Sequence, residues 1–189
     1  MKSPKVILAI VLSGAIIVSA QSPEENPFFA TLAEGYFIDA EAHYTTLDIG
    51  WNISDYTAIS LQMFYANKDN DDYAPISLEE QYTGIGFNIK NYKQIGDNGG
   101  VYFSTGAGIA FIDAEARLGN DKLQDDTQEI YITAAVGVQE SFTENLTGHI
   151  ALRALWFNDY TITAPGFGSL QGPEHDINFG IEIGLTYKF

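Results

Sequence analysis

The last fifteen residues of the chain, 175–189, alternate between apolar and polar or small side chains. The apolar positions are Ile177, Phe179, Ile181, Ile183, Leu185, Tyr187 and Phe189, and the intervening ones are Asp176, Asn178, Gly180, Glu182, Gly184, Thr186 and Lys188. A period of two places these sets on opposite faces of an extended chain, whereas a helix would mix them. The stretch therefore predicts a β-strand, and it limits the fold to sheets with two different surfaces.

The same alternation recurs along most of the chain and predicts further strands. They cover residues 44–53, 57–67, 78–91, 101–114, 127–142 and 146–161. The short turns at 54–56, 95–99 and 143–145 alternate with longer polar stretches at 68–77, 117–126 and 162–174, which we interpret as loops. This regular order predicts an all-β antiparallel meander.

The composition of the two faces indicates which one is outside. The polar or small face carries many glycines interleaved with Tyr82, Tyr102 and Tyr131, which suits the crowded interior of a small barrel. Apolar aromatic residues fall near two levels, with Trp51, Phe142, Tyr187 and Phe189 at one rim and Tyr65, Phe111 and Trp156 at the other. We therefore predict a transmembrane barrel. The alternative is a soluble, lipocalin-like periplasmic carrier, whose apolar face would line a cavity and whose outer face would be charged.

The N-terminus predicts secretion. Residues 1–20 combine Lys2 and Lys5 with an apolar run and a small-residue ending, which is typical of a signal peptide cut before Gln21. The polar stretch 21–28 is interpreted as a periplasmic lead-in. Removing the two lysines takes the formal net charge from −16 to about −18, and so excludes nucleic acid as a partner. The chain has no cysteine, which excludes disulfides, thiol catalysis and lipidation on Cys.

The end of the chain resembles a known family signal. Glu182, Gly184, Tyr187 and Phe189 follow the polar-x-Gly-x-x-aromatic-x-aromatic pattern that closes bacterial outer-membrane β-barrel proteins. The resemblance implies recognition by the barrel-assembly machinery and a location in a Gram-negative outer membrane. Across 29–189 the strand pattern is similar to that of the small OmpA-type and OmpX-type barrels.

Such barrels have an even number of strands, short periplasmic turns and longer external loops. Both termini then lie on the periplasmic side, so one more strand is required before Tyr44. We predict it at 29–39, and the barrel domain at 29–189, although Glu34 interrupts the apolar alternation there. The predicted fold is an eight-stranded antiparallel transmembrane β-barrel with up-and-down topology.

The face that points into the predicted lumen carries a few charged residues, namely Asp48, Lys90, Arg153, Glu182 and Lys188. Unpaired buried charges are too costly to persist, so we predict a network of ion pairs and hydrogen bonds that fills the lumen. A gated ion path would need a wider lumen than eight strands leave, and we do not predict a diffusion porin.

The hexapeptide Phe-Ile-Asp-Ala-Glu-Ala occurs twice, at 37–42 and 111–116. The residues around the two copies do not match. We interpret the repetition as convergence on a sequence that ends an outward-running strand, in preference to gene duplication.

An enzymatic alternative rests on a fainter resemblance. Residues 153–158, Arg-Ala-Leu-Trp-Phe-Asn, are similar in position to a penultimate-strand segment of the lipid A deacylase family. That family's catalytic His and Ser would fall on Trp156 and Asn158, so the resemblance implies an inactive relative. Nucleophilic catalysis needs a hydroxyl beside a base, and this segment provides neither.

No cofactor or metal site is predicted. His43, His149 and His175 are scattered, and the acidic spacing Asp69, Asp71 and Glu80 only partly matches an EF-hand. The expected function is structural, or a surface contact through the loops 68–77, 117–126 and 162–174. The expected partners are outer-membrane lipid, lipopolysaccharide bridged by divalent cations, and a surface or host ligand.

Overall fold

The chain is described by a computed structural model over residues 28–73, 76–118, 121–157, 161–164, 168–171 and 177–189. Its strands are β1 (Phe28–Phe37), β2 (Ala42–Ser54), β3 (Thr57–Tyr73), β4 (Ile76–Ile95), β5 (Gly99–Leu118), β6 (Asp121–Ser141), β7 (Leu146–Phe157), β8 (Thr161–Ala164), β9 (Gly168–Gln171) and β10 (Ile177–Lys188). The predicted signal peptide 1–20 lies outside the described residues. The lead-in 21–28 does too, except for Phe28, which belongs to β1.

Eight of these strands close into a barrel in the order β1, β10, β7, β6, β5, β4, β3, β2, and every neighbouring pair is antiparallel. Strands β1 and β10 close the barrel, with a register that runs from Phe29 opposite Lys188 to Phe37 opposite Gly180. The predicted all-β eight-stranded meander is therefore confirmed. Within the described residues, no helix is long and apolar enough to cross a membrane.

The apolar face of each barrel strand points outward. On β10 the outward residues Ile181, Ile183 and Leu185 are more than half exposed, whereas Glu182, on the other face, is buried. A wall this apolar is stable in hydrocarbon and costly in water. The lipocalin-like alternative is therefore wrong, since it required the apolar face to line a cavity.

Aromatic side chains encircle both rims of the outer wall. The exposed rings of Trp51, Phe142, Tyr187 and Phe189 lie at the end with the short turns, and Tyr65 and Phe111 are exposed at the other end. Bands of this kind sit at the two interfaces of a bilayer. They mark the end with the short turns as periplasmic and the opposite end as external.

Inside, large side chains pack against glycines of neighbouring strands. The Tyr44 ring lies against Gly35, the Phe64 ring lies against Gly84, and a Cβ atom at either glycine would overlap the ring. A row of larger residues at these positions would not fit, because an eight-stranded lumen is only wide enough to be filled by side chains. The lumen is thus a packed core.

Several predicted boundaries are wrong. Strand β1 spans Phe28–Phe37 instead of 29–39, and its Glu34 points outward, which explains the interrupted alternation. The stretches 68–77 and 117–126 are mostly strand, because β3 to β6 continue past the external rim. The acidic positions Asp69, Asp71 and Glu80, whose spacing partly matches an EF-hand, lie in the strands β3 and β4.

The predicted loop 162–174 contains the hairpin β8–β9, whose backbone register runs from Thr161 opposite Gln171 to Ala164 opposite Gly168. The repeated hexapeptide also departs from expectation. Its first copy ends β1, but the second lies within β5, which continues to Leu118. The second copy therefore does not mark the end of a strand.

Candidate functional site: a sealed lumen and an external β-wall

A buried ion pair joins the neighbouring strands β7 and β10 on the lumen side of the barrel. The guanidinium of Arg153 donates through Nε to Glu182 Oε2 at 2.6 Å and through Nη2 to Oε1 at 3.0 Å. Its Nη1 donates to Thr133 Oγ1 on β6 at 3.0 Å. The register places Arg153 opposite Gly180, so the long side chain reaches diagonally to Glu182. This two-point geometry satisfies both charges where little water can reach them.

His149 approaches the same carboxylate from an earlier inward position of β7. Its Nε2 lies 3.5 Å from Glu182 Oε1, and its ring meets the Tyr102 ring edge-on at 5.7 Å. The sequence indicated only a lumen-facing filler here. His149 and Arg153 both occupy odd, inward-facing positions of β7. This shared spacing is the sequence signal that could have placed both side chains near one partner.

A second acidic centre lies on β2. Asp48 accepts a hydrogen bond from Ser60 Oγ at 3.0 Å and another from Gln62 Nε2 at 3.2 Å, both on β3. All three residues are buried. Gln62 and Ser60 were not singled out from the sequence, because neutral polar residues on an inward face resemble ordinary lumen lining.

Lys90 lies between the barrel core and its periplasmic mouth. The Nζ atom stands 3.8 Å from the Tyr102 ring centroid and 5.3 Å from that of Tyr92, so two aromatic faces stabilise the ammonium group. Lys90, Asp48, Arg153 and Glu182 all line one small cavity. Its volume of about 20 Å³ is close to that of a single water molecule.

Lys188 is the one residue of the predicted network that lies elsewhere. It lines an open periplasmic vestibule of about 380 Å³ together with Asp55, Asp97 and Thr186. Six residues of extended chain separate it from Glu182, which is roughly 20 Å along the strand. The structure therefore brings four of the five predicted charges around one cavity and leaves Lys188 at the mouth, where Lys90 lines both spaces.

The residues of the C-terminal signal divide between the two faces of β10. Glu182 and Gly184 point into the lumen, where Gly184 makes room for the His149 ring. Tyr187 and Phe189 point outward, with ring centroids 5.2 Å apart at the periplasmic rim. Their role as an assembly signal stays a prediction.

At the external end, β3 to β6 form a wall with an acidic outer face. Across neighbouring strands Glu79 lies opposite Glu115, and Asp113 lies opposite Asp126. The pKa of Asp113 is raised above its ordinary value by desolvation and by the Asp126 carboxylate beside it. Like charges placed directly opposite each other destabilise a sheet.

On the inner side of this wall, Glu80 is buried and paired. The Tyr82 hydroxyl donates to Glu80 Oε2 at 2.9 Å, and Lys68 Nζ lies 3.8 Å from the same oxygen. The Lys68 contact joins β3 to β4 above the aromatic girdle, and the Tyr82 contact orients the Glu80 carboxylate within β4.

The structure places the segment 153–158 so that its first residues face different ways. Arg153 points into the lumen, whereas Trp156, opposite Ile177 of β10, lies on the outer face. Asn158 lies outside the described residues, as does His175. Over the part of the chain that is described, no group of three or more His, Asp or Glu side chains is placed to hold a metal ion.

Comparisons with known proteins identify the fold. No protein-family model and no curated protein match the sequence. A major outer membrane protein from Thermus thermophilus matches with a TM-score of 0.60 at 12% identity, covering 86% of this chain and 99% of that one. Neisserial surface protein A matches with a TM-score of 0.52 at 15% sequence identity, covering 86% of this chain and 94% of that one. Ail, the attachment invasion locus protein of Yersinia pestis, matches with a TM-score of 0.52 at 11% sequence identity, covering 88% of this chain and 99% of that one.

Proposed function

We propose that this chain, which has the fold of the small bacterial outer-membrane β-barrel proteins, is a non-enzymatic barrel that holds an acidic β-wall above the outer membrane for contact with the cell's surroundings. The observation that carries the proposal is the unequal length of the barrel strands. Strands β1, β7 and β10 have 10, 12 and 12 residues, whereas β3, β4, β5 and β6 have 17, 20, 20 and 21.

A tilted strand crosses the hydrocarbon core with about 9–11 residues. The short strands therefore match one crossing, and each long strand has several residues to spare. Because the turns at 54–56, 95–99 and 143–145 are short, the excess length lies on the external side. A four-stranded wall outside the membrane has no use in crossing the bilayer, which supports a surface role.

The lumen supports an anchoring role rather than a channel. The ion pair between Arg153 and Glu182 spans neighbouring strands at its centre, and the cavity beside it holds only about 20 Å³. A conducting pore needs a continuous water-filled path. A packed and ion-paired core instead makes a stiff support for the wall above it.

The character of the wall suggests its partners. Its outer face presents Glu79, Asp113, Glu115 and Asp126, and the whole chain carries a formal charge of −16. Such a surface favours cationic partners, or divalent cations that bridge it to the phosphates of lipopolysaccharide. The name of Ail refers to attachment and invasion, and a comparable surface contact is the role we propose here.

The proposed role is tested by shortening the wall while leaving the membrane-spanning part intact. Residues 69–79 and 115–124 are each replaced by Asn-Gly, which joins Lys68 to Glu80 and Ala114 to Asp125 through two-residue hairpin turns. We expect the trimmed barrel to keep its heat-dependent gel mobility, while cells that display it lose adhesion to host-cell surfaces. A full-length control with Glu79→Gln and Glu115→Gln separates the effect of length from that of charge.

Three results would argue against the proposal. Unchanged adhesion of the trimmed strain would remove the surface role. Lipid A that loses an acyl chain only when the protein is present would restore the enzymatic alternative. Unit conductance steps in planar bilayers would show that the lumen opens.

A further inference from the structure

The outer wall of the barrel carries an apolar groove of about 630 Å³. Its floor follows one row of paired residues across the strands, from Leu32 on β1 through Leu185 and Gly148 to Glu140 on β6. The volume falls within the roughly 300–1,000 Å³ that is typical of pockets for small organic ligands.

Gly148 shapes one side of the groove, because it lets an aromatic ring lie directly against the backbone of β7. The next row of outward residues, Ile183, Ile150 and Val138, forms one wall. The Phe142 ring forms the other and folds against Gly148, where a Cβ atom would come within 2.7 Å of the ring. A side chain at position 148 would push this ring aside and fill the groove.

The two ends of the groove lie at different depths in the membrane. Glu140 precedes Phe142 and the turn 143–145, so it lies at the periplasmic rim. Leu32 lies in the middle of β1, one outward position from Glu34. Because the strands are tilted, a row perpendicular to them rises from the rim toward the bilayer centre.

The chemistry of the groove changes along its length in the same direction. Its floor and walls are mostly aliphatic, but the rim end carries the exposed carboxylate of Glu140, with which no described side chain pairs. A phospholipid of the periplasmic leaflet places its polar head at this rim and its acyl chain along the groove, toward the bilayer centre. Lipid A lies in the opposite leaflet, away from this rim.

We propose that this groove is a binding site for a periplasmic-leaflet phospholipid with a primary ammonium headgroup, whose ammonium donates to Glu140 and whose acyl chain lies between the Phe142 ring and the row of Ile183, Ile150 and Val138. A charge-assisted hydrogen bond to a carboxylate distinguishes such a lipid from one without an amine. The aliphatic floor contributes affinity without selectivity between headgroups.

The test uses the refolded full barrel in neutral detergent and intact-mass spectrometry of bound lipid. Phosphatidylethanolamine and phosphatidylglycerol with identical acyl chains are titrated in parallel. We expect one retained lipid, with phosphatidylethanolamine preferred by about tenfold, the ratio that one charge-assisted hydrogen bond supplies. Glu140→Gln should reduce that preference to within about twofold. Gly148→Leu should reduce retention of both lipids.

Glu144→Gln is the matched control, because Glu144 is an exposed carboxylate in the turn 143–145 at the same periplasmic rim and does not line the groove. It should keep the wild-type preference, and all variants must first show the folded band on an unheated gel. The proposal is wrong if the wild-type barrel does not distinguish the two lipids, or if Glu140→Gln retains the full preference. It is equally wrong if Glu144→Gln abolishes the preference.

Discussion

The two copies of Phe-Ile-Asp-Ala-Glu-Ala, at 37–42 and 111–116, have the same side chains but bury opposite ones. Phe37 is 3% exposed and Phe111 is 44% exposed, whereas Ile38 is 56% exposed and Ile112 is fully buried. In the first copy the phenyl ring belongs to the lumen core. In the second copy the isoleucine takes that place.

The difference arises from the strands that each copy pairs with. In the first copy Phe37 is the last paired residue of β1, opposite Gly180, and the chain then turns over residues 38–41. Glu41 adopts a positive φ of 51° to complete the turn. The second copy is paired on both sides along its length, from Phe111 opposite Thr83 to Ala116 opposite Leu78.

The comparison shows that a short sequence does not by itself determine which of its side chains point into the lumen. A strand alternates with period two, so its register against its neighbours decides which residues point inward. Inward residues of β1 have odd numbers, such as Phe29 and Phe37, and inward residues of β5 have even ones, such as Tyr102 and Ile112. The register of the whole barrel therefore overrides the local likeness.

The largest expected effect is a loss of stability on truncating the phenylalanine of the first copy or the isoleucine of the second. Phe37→Ala removes a ring stacked on Tyr44 at a centroid distance of 4.1 Å, and should cost about 3–5 kcal/mol of unfolding free energy. Ile112→Ala should cost about 2–5 kcal/mol, because it leaves a cavity in the same core. The measurement is urea unfolding of the barrel in phospholipid vesicles, followed by gel mobility.

Ile38→Ala and Phe111→Ala are the matched controls for these truncations. Ile38 is exposed in the turn, so Ile38→Ala should cost no more than about 1 kcal/mol. Phe111→Ala removes a ring of the external girdle from the bilayer interface, and should cost less than Phe37→Ala because it leaves no cavity in the lumen. Equal losses at the phenylalanine positions, or at the isoleucine positions, would mean that the two copies do not face opposite ways.

Smaller changes in unfolding free energy are expected when glycine replaces the glutamate of each copy, and the two copies should respond differently. Glu41→Gly should stabilise the barrel by about 0.5–1 kcal/mol, because glycine adopts the positive φ without the steric cost that a Cβ atom imposes. Glu115→Gly should not stabilise it in this way, because position 115 is extended within β5, where glycine costs about 0.5–1 kcal/mol, and the lost repulsion from Glu79 offsets only part of that cost. The same urea titration measures both, and a loss of stability in both variants would contradict the turn at Glu41.

The smallest effect concerns pH and the aspartate of the second copy. Asp113 lies beyond Phe111 on the external side, and the neighbouring Asp126 contributes to its raised pKa in the folded barrel. A carboxyl whose pKa is higher in the folded than in the unfolded state binds its proton more tightly when folded, so stability falls as pH rises through that range. Acidification toward the ordinary pKa of aspartate should therefore raise the urea midpoint slightly.

Asp113→Asn should weaken this pH dependence, because it removes both the titrating group and its repulsion from Asp126. The effect will be small, since Asp113 is exposed to solvent and its repulsion is screened. Asp39→Asn is the control from the first copy, where the carboxylate accepts a hydrogen bond from the Phe179 amide at 3.3 Å. If Asp39→Asn changed the pH dependence of the urea midpoint more than Asp113→Asn did, the attribution of that dependence to Asp113 would be wrong.

Some features of the chain could not be predicted from sequence for a physical reason. Inside the membrane the two faces of a strand meet lipid and lumen, so alternation is strong and predicted turns such as 54–56 and 143–145 are confirmed. Beyond the external rim both faces of the wall meet water, and the apolar alternation that identifies a strand disappears. The stretches 68–73 and 121–126 therefore resembled loops although their backbones are paired.

By itself, the sequence determined the all-β class, the apolar outer wall and the inward parity of Asp48, Arg153 and Glu182. Alternation with period two carries that information wherever the two faces of a strand have different surroundings. Only the tertiary structure decided that Arg153 meets Glu182, that Lys188 lies at the mouth, and that identical hexapeptides bury different residues. Those outcomes depend on the register between strands that are distant in the chain, and register is fixed only when the barrel closes.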